Sequence, residues 1–175
     1  LVTFSGSTVE DLTGGEETEI TIPMDLSEIK MLIPDAENSR IVKIDDITGA
    51  GWVDTSFGLE SFLFRPWDID FDSEGRVYIA DNRGGTGGAV IYRIGSLSDI
   101  TPNAILTDMD GYTALAIDRT NEILYFAKSN NLWKSNLDGS NKESLDIATD
   151  FIEYINGLEV MENGYLLIAQ GSATG

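Results

Sequence analysis

The chain has no cysteine and no histidine among its 175 residues. Without cysteine, disulfides and thiol chemistry are excluded and the redox compartment is left open. Without histidine, the commonest general base and metal ligand is missing, which argues against a Ser-His-Asp hydrolase or a zinc site. Basic residues are also few: eleven Lys and Arg stand against thirty Asp and Glu, a formal charge of −19. A field of that sign repels phosphate backbones and anionic membrane surfaces, so nucleic acid is not an expected partner. No apolar run approaches the roughly 18 residues of a membrane span, and none is expected. No segment carries the spacing of a long helix. What is present is a hydrophobic content of 42%, enough to bury a sizeable core in a chain of this length, which is usually one domain.

That content is organised around residues 66–81, PWDIDFDSEGRVYIAD. Trp67, Ile69 and Phe71 alternate with Asp68, Asp70 and Asp72, the period of two that belongs to a strand. Ser73, Glu74 and Gly75 supply a turn, and Val77 to Ala80 form the near-continuous apolar run expected of a strand covered on both faces. Two further copies lie under this one: TALAIDRTNEILYFAK at 113–128, with one extra turn residue, and NGLEVMENGYLLIAQ at 156–170, turning through Asn163-Gly164. A fragment of a fourth precedes them, where MLIPD at 31–35 matches VYIAD and Pro23 opens the unit. Taking Asp35, Asp81, Lys128 and Gln170 as equivalent, the steps are 46, 47 and 42 residues. A period in this range with several short strands in each is the signature of a β-propeller of four-stranded antiparallel blades.

The residues carry a family resemblance as well. RPWDIDFDSEGRVYIADNRGGTGGAVIYRI, residues 65–94, resembles an NHL-type propeller blade, and NSRIVKI at 38–44 matches its last element. The third unit, residues 114–145, looks more like the YWTD blades of lipoprotein-receptor type, above all at Leu137-Asp138-Gly139-Ser140; YFAK at 125–128 stands where those blades carry their tetrad. NGLEVMENGYLLIAQ resembles the Asn-Gly-apolar stretch of gluconolactonase-like propellers, where the Asn at the tunnel mouth is one ligand of a divalent metal. The resemblance covers about residues 23–171. It implies an all-β propeller, and its motifs say more about fold than about activity.

The expected organisation is an acidic leader or stray blade strand at 1–19, then blades at about 20–60, 61–108 and 109–150 and a partial blade at 151–175. About three and a half blades make an incomplete ring. A chain that begins at Leu1 and stops after the second strand of its fourth unit is expected to be a piece of a longer polypeptide or to close by self-association. Hairpin loops are expected at Asn130-Asn131 and across the glycine-rich 82–88. The latter lacks the Gly-Lys-Ser/Thr ending and following helix of a phosphate-binding loop.

Asp68 and Asp70 occupy the places that Ala114 and Ala116 hold in the third unit and Gly157 and Glu159 in the fourth. Carboxylates on an innermost strand can line the central tunnel and bind a cation or a polyol, or they can accept backbone or Arg hydrogen bonds between blades. The Asp68-x-Asp70-x-Asp72 spacing is not an EF-hand, since Ser73 and Ile79 stand where its Gly and Glu belong. Asn156, by the lactonase-like resemblance, is a candidate metal ligand; Asn-Gly is equally a turn dipeptide. The candidate ligand-binding set at the tunnel mouth is Trp67, Asp68, Asp70, Asn156 and Glu159. The expected function is a non-enzymatic ligand-binding or protein-interaction module outside the cytoplasm, with a protein or small polar ligand as partner and no cofactor. The alternative is a lactonase-type hydrolase dependent on Ca²⁺ or another divalent cation.

Overall fold

The computed structural model describes residues 31–45, 48–54, 62–82, 88–95, 101–147 and 154–171. The expectations for the leader at 1–19, for Pro23 and for most of the glycine-rich loop lie outside these residues. Among them there is no α-helix, only strands, turns and a single 3-10 turn at Ala36–Asn38. The first sheet holds β1 (Met31–Asp35), β2 (Arg40–Ile44) and β3 (Val53–Asp54). The second holds β4 (Pro66–Phe71), β5 (Val77–Asn82), β6 (Ala89–Ile94) and β7 (Asn103–Asp108), the third β8 (Ala114–Asp118), β9 (Ile123–Lys128), β10 (Asn131–Asn136) and β11 (Glu143–Leu145), and the last β12 (Ile155–Val160) and β13 (Leu166–Gln170). Every sheet is an antiparallel meander in chain order. β4, β8 and β12 pack side by side as the innermost strands.

The pleat explains how these sheets stack. Successive residues of β5 point to opposite faces, so Val77 and Ile79 join Ile41, Leu63, Val90, Tyr92 and Ile94 in a core against the first sheet. Tyr78 and Ala80 face the other way, into a core with Leu115, Ile117, Leu124 and Phe126 of the third. β9 repeats the division: Leu124 and Phe126 face the second sheet, while Ala127 packs with Leu132, Ile155 and Leu158 toward the fourth. The uninterrupted apolar run of β5 is thus buried on both sides. Leu166 and Ile168, which stand in the repeat where Val77 and Ile79 stand in β5, are only partly buried, because β13 packs one face on the third sheet and among the described residues is an edge strand.

The turns after β4 and β12 share one hydrogen-bond pattern. Asp72 N donates to Arg76 O at 3.1 Å and Gly75 N to Asp72 O at 3.1 Å. Met161 N donates to Tyr165 O at 2.8 Å and Gly164 N to Met161 O at 2.9 Å. Gly75 and Gly164 have φ of 77° and 84°, the left-handed region that glycine enters without a Cβ penalty. The hairpin between β9 and β10 turns through Ser129 and Asn130, one residue earlier than expected, with Ser129 at φ 55°. Gly139 combines φ 83° with a close approach to the neighbouring sheet, since an added Cβ would lie 2.2 Å from Ile105 O. Gly139→Ala is therefore expected to cost on the order of 2 kcal/mol, read as a lowered urea midpoint; an unchanged midpoint would show that the two sheets do not meet there.

Candidate functional site

The innermost strand of each blade is an edge strand, and half of its amides point toward the blade beside it rather than into its own sheet. Asp68 and Asp70 answer that problem at one seam. Asp68 Oδ1 accepts from its neighbour Ile69 N at 2.9 Å and Oδ2 accepts from Leu115 N at 2.8 Å. Asp70 Oδ1 accepts from Phe71 N at 2.7 Å and Oδ2 from Ile117 N at 2.7 Å. The result is a two-rung carboxylate ladder in which side chains stand in for a missing strand, and its in-step pairing shows that β4 and β8 run in the same direction. The guanidinium of Arg119, from the turn after β8, closes on Asp70 Oδ1. Of the two uses open to these carboxylates, the described geometry is that of hydrogen bonding between blades. Ala114 and Ala116, at the equivalent places, offer no acceptor to β12.

Burial pushes the Asp68 carboxyl up to about 6; the carboxylates of Asp70 and Glu159 add to the rise, and the amides of Leu115 and Ile69 hold it back. Its folded value lies above the ordinary carboxylate value, so its contribution to stability is fully present below about pH 4 and is lost as pH rises through 6. Removing the titration with Asp68→Asn should flatten the stability difference between pH 4 and 7 by on the order of 2 kcal/mol relative to the parent. Parallel slopes for the two proteins over that range, in urea titrations, would place the Asp68 carboxyl in water.

The structure departs from simple alternation at Trp67. Pro66 pairs with Asp81 but Asp68 with Ala80, so Trp67 occupies a β-bulge. Ile69 and Phe71 pack into the core, whereas Trp67 is 38% exposed. The same bulge recurs: Ile155 pairs with Gln170 and Gly157 with Ala169, leaving Asn156 as the extra residue, and Thr113 N and Ala114 share Ala127. A bulge re-aims one side chain at the same place in each blade. Asn156 therefore lies within a strand, not in the turn that an Asn-Gly pair also allowed. It is exposed, and its Nδ2 fills the space left by Gly171, where an added Cβ would come within 2.2 Å. Trp67 and Asn156 share one end of the parallel inner strands. Asp70 and Glu159 lie toward the other, where Glu159 borders an open groove of about 650 Å³ with Arg119, Met161, Glu162 and Asn163.

Trp67 does not stand by itself. The Arg65 guanidinium lies over its ring, 5.2 Å from the centroid, and is held there by Glu37 at 2.8 Å. Phe62 and Phe64, a few residues earlier in the chain, are 45% and 55% exposed. The sequence reading passed over these aromatics and Arg119. The signal for the first was available in SFLFRPW, where Phe62 and Phe64 flank a single apolar Leu63 just ahead of the repeat.

No protein-family model matches the chain, and no curated protein matches it. Solved structures do. It is similar to the crystal structure of a nidogen/laminin complex at 18% identity and a TM-score of 0.60, over 81% of this chain and 52% of that one. It is similar to a putative gluconolactonase at 17% identity and a TM-score of 0.63, over 81% and 54%. It is also similar to the extracellular domain of a putative hybrid two-component system of Bacteroides thetaiotaomicron, at 15% identity and a TM-score of 0.52, over 86% and 20%. The fold is a β-propeller. The chain spans about half the length of the first two structures, and its four meander sheets are successive propeller blades. Among the described residues no three Asp or Glu side chains converge to hold a metal ion. Asn156 alone does not make a coordination shell, and no catalytic step follows from it.

Proposed function

We propose that this chain works outside the cytoplasm as a non-enzymatic propeller module that binds a protein or a small polar ligand at the end of the inner strands where Trp67 and Asn156 are displayed. The observation that carries this reading is a division of labour along β4 and β12. Asp68 and Asp70 are committed to Leu115, Ile117 and Arg119, while the bulges fix Trp67 and Asn156 on rigid strands with their side chains exposed. An aromatic ring and an amide held on fixed backbone suit recognition. The likeness to a nidogen/laminin complex and to an extracellular domain supports the location and the binding role at the level of fold. A panel of monosaccharides, sugar acids and short peptides, titrated against isotope-labelled protein, should shift the Trp67 indole N–H and the Asn156 side-chain amide saturably. A panel that moves neither would sink the reading.

The exposed amide of Asn156 and the likeness to a putative gluconolactonase favour a second reading, a lactonase dependent on a divalent cation. An ion that binds only the native state stabilises it by about 2.7 kcal/mol at a hundredfold excess over Kd, so the melting temperature climbs with ion concentration. A saturable rise with Ca²⁺, Mg²⁺ or Mn²⁺, reversed by chelator and lost in Asn156→Ala, would turn the assignment to the enzyme. No shift with any of the three removes it.

A further inference from the structure

The second blade shows one face to the first blade and the other to the third. Ile69 and Phe71 pack toward the first, while Asp68 and Asp70 serve the third and Tyr78 and Ala80 are fully buried against it. In the fourth blade Leu158, Leu166 and Ile168 pack toward the third. Its other face is open. Glu159 pairs with Leu167 as Asp70 pairs with Tyr78, and Gly157 with Ala169 as Asp68 with Ala80. Residues directly opposed in a sheet point to the same side, so Leu167 holds the place of Tyr78 and Ala169 that of Ala80. Yet Leu167 is 51% exposed, Met161 is 42% exposed and Ala169 is exposed too. Leu167 and Met161 line the open groove of about 650 Å³ together with Glu159, Glu162 and Arg119, at the opposite end of the inner strands from Trp67 and Asn156.

The seam between the second and third blades shows what fits such a face. There the cover is β8, a strand parallel to β4 whose Leu115 and Ile117 share one core with Tyr78 and Ala80. Its outward amide at Ile117 is accepted by Asp70, and Arg119, two places on, closes on the same carboxylate. In the fourth blade Glu159 holds the place of Asp70, and Gly157, where Asp68 would be, offers no second acceptor. Arg119, the cation among the groove's lining residues, is committed to Asp70, so the groove is acidic and continuous with the seam beside it. Charge then narrows the occupant: a second copy of this chain carries the same −19 and is repelled, whereas a segment with a basic residue is attracted. We propose that the open face of the fourth blade docks an extended segment of a partner polypeptide, laid parallel to β12. Apolar side chains at alternate places cover Leu167 and Ala169, one main-chain amide is donated to Glu159, and a Lys or Arg two places beyond it meets the same carboxylate.

The test uses the whole chain, isotope-labelled, and as probe a synthetic peptide of residues 113–120, TALAIDRT, the segment that plays this part at the neighbouring seam. The peptide should shift the amides of Glu159, Met161 and Leu167 saturably and leave the Trp67 indole unmoved. Methylating the peptide's isoleucine amide removes the donor meant for Glu159 and should weaken binding by at least about fivefold, as should Glu159→Ala or Leu167→Ala in the protein. Both side chains are exposed, so these variants should melt with the parent. No shift up to the solubility limit of the peptide would overturn the proposal. Equal binding by the methylated peptide would reduce the groove to a greasy surface and overturn it too. Shifts centred on Asp70 and Tyr78 would mean that the peptide displaces β8 instead of docking on the fourth blade. Self-association of the chain abolished by Leu167→Asp would hand the face to a second copy; either result also overturns the proposal.

Discussion

Phe126→Ala should lower the stability of the chain by about 3–5 kcal/mol. Phe126 is fully buried on β9 at the seam between the second and third blades. It meets Tyr112 edge-on at 5.5 Å and stacks on Trp133 at 6.5 Å, 13° from parallel. Truncation removes its transfer free energy and both ring contacts and leaves a void that strands on either side cannot close, because β9 is hydrogen-bonded to β8 and β10 along its length. A typical domain has only about 5–15 kcal/mol in total, so the variant should show a strongly lowered urea midpoint. Phe126→Leu keeps most of the volume and should lose less than half as much. A loss below about 1 kcal/mol for the alanine would mean that the blades are not packed through this ring.

This core was legible in the sequence because it rests on local periodicity repeated at a fixed interval. Val77, Ile79, Leu124 and Phe126 recur at equivalent places in equivalent strands, and residues that share a register share an environment. What the repeat could not disclose depends on contacts between units. The ladder from Asp68 and Asp70 to Leu115 and Ile117 joins residues 47 apart in different blades, and a sequence reading can place the carboxylates near the axis without saying which amides they serve. The bulge at Trp67 adds one residue to one strand of a pair, and apolar alternation conceals it, since a tryptophan fits the apolar place that the pattern assigns. Asn156 was singled out by its motif, yet its strand position follows from the pairing of its neighbours Ile155 and Gly157 with Gln170 and Ala169 and from the room at Gly171. The bare glycine was visible in the sequence but not its neighbour.

The same distinction between a visible residue and its hidden partners governs Asp72, which reads as a turn residue and is more than that. Its carboxylate is buried and collects the turn: Oδ1 accepts Glu74 N at 3.0 Å and Arg76 N at 2.9 Å, while Oδ2 accepts the Arg76 guanidinium and Tyr78 Oη, the latter at 3.0 Å. Burial pushes the Asp72 carboxyl up, but the Arg76 guanidinium and amide, with the Tyr78 hydroxyl and the Glu74 amide, outweigh it and hold the group below the usual range. A lowered folded value means stability that is present above the unfolded value and lost as pH falls through the folded one. Asp72→Ala takes from the Tyr78 hydroxyl its carboxylate acceptor, leaving it with Arg93, and leaves Arg76 with Glu74, 3.0 Å away at the surface; breaking one side of a buried pair costs about 3–5 kcal/mol. Asp72→Asn keeps an acceptor for the turn amides but meets Arg76 with no charge, and should fall between. Adding Tyr78→Phe to Asp72→Ala should cost much less than Tyr78→Phe alone, because the hydroxyl has already lost its carboxylate. Urea titrations of the parent and the four variants at neutral pH and again near pH 3 decide the matter: the alanine variant should lose less than the parent on acidification. A double variant that merely sums the single losses would show that Asp72 acts on the turn alone and not on the core beneath it.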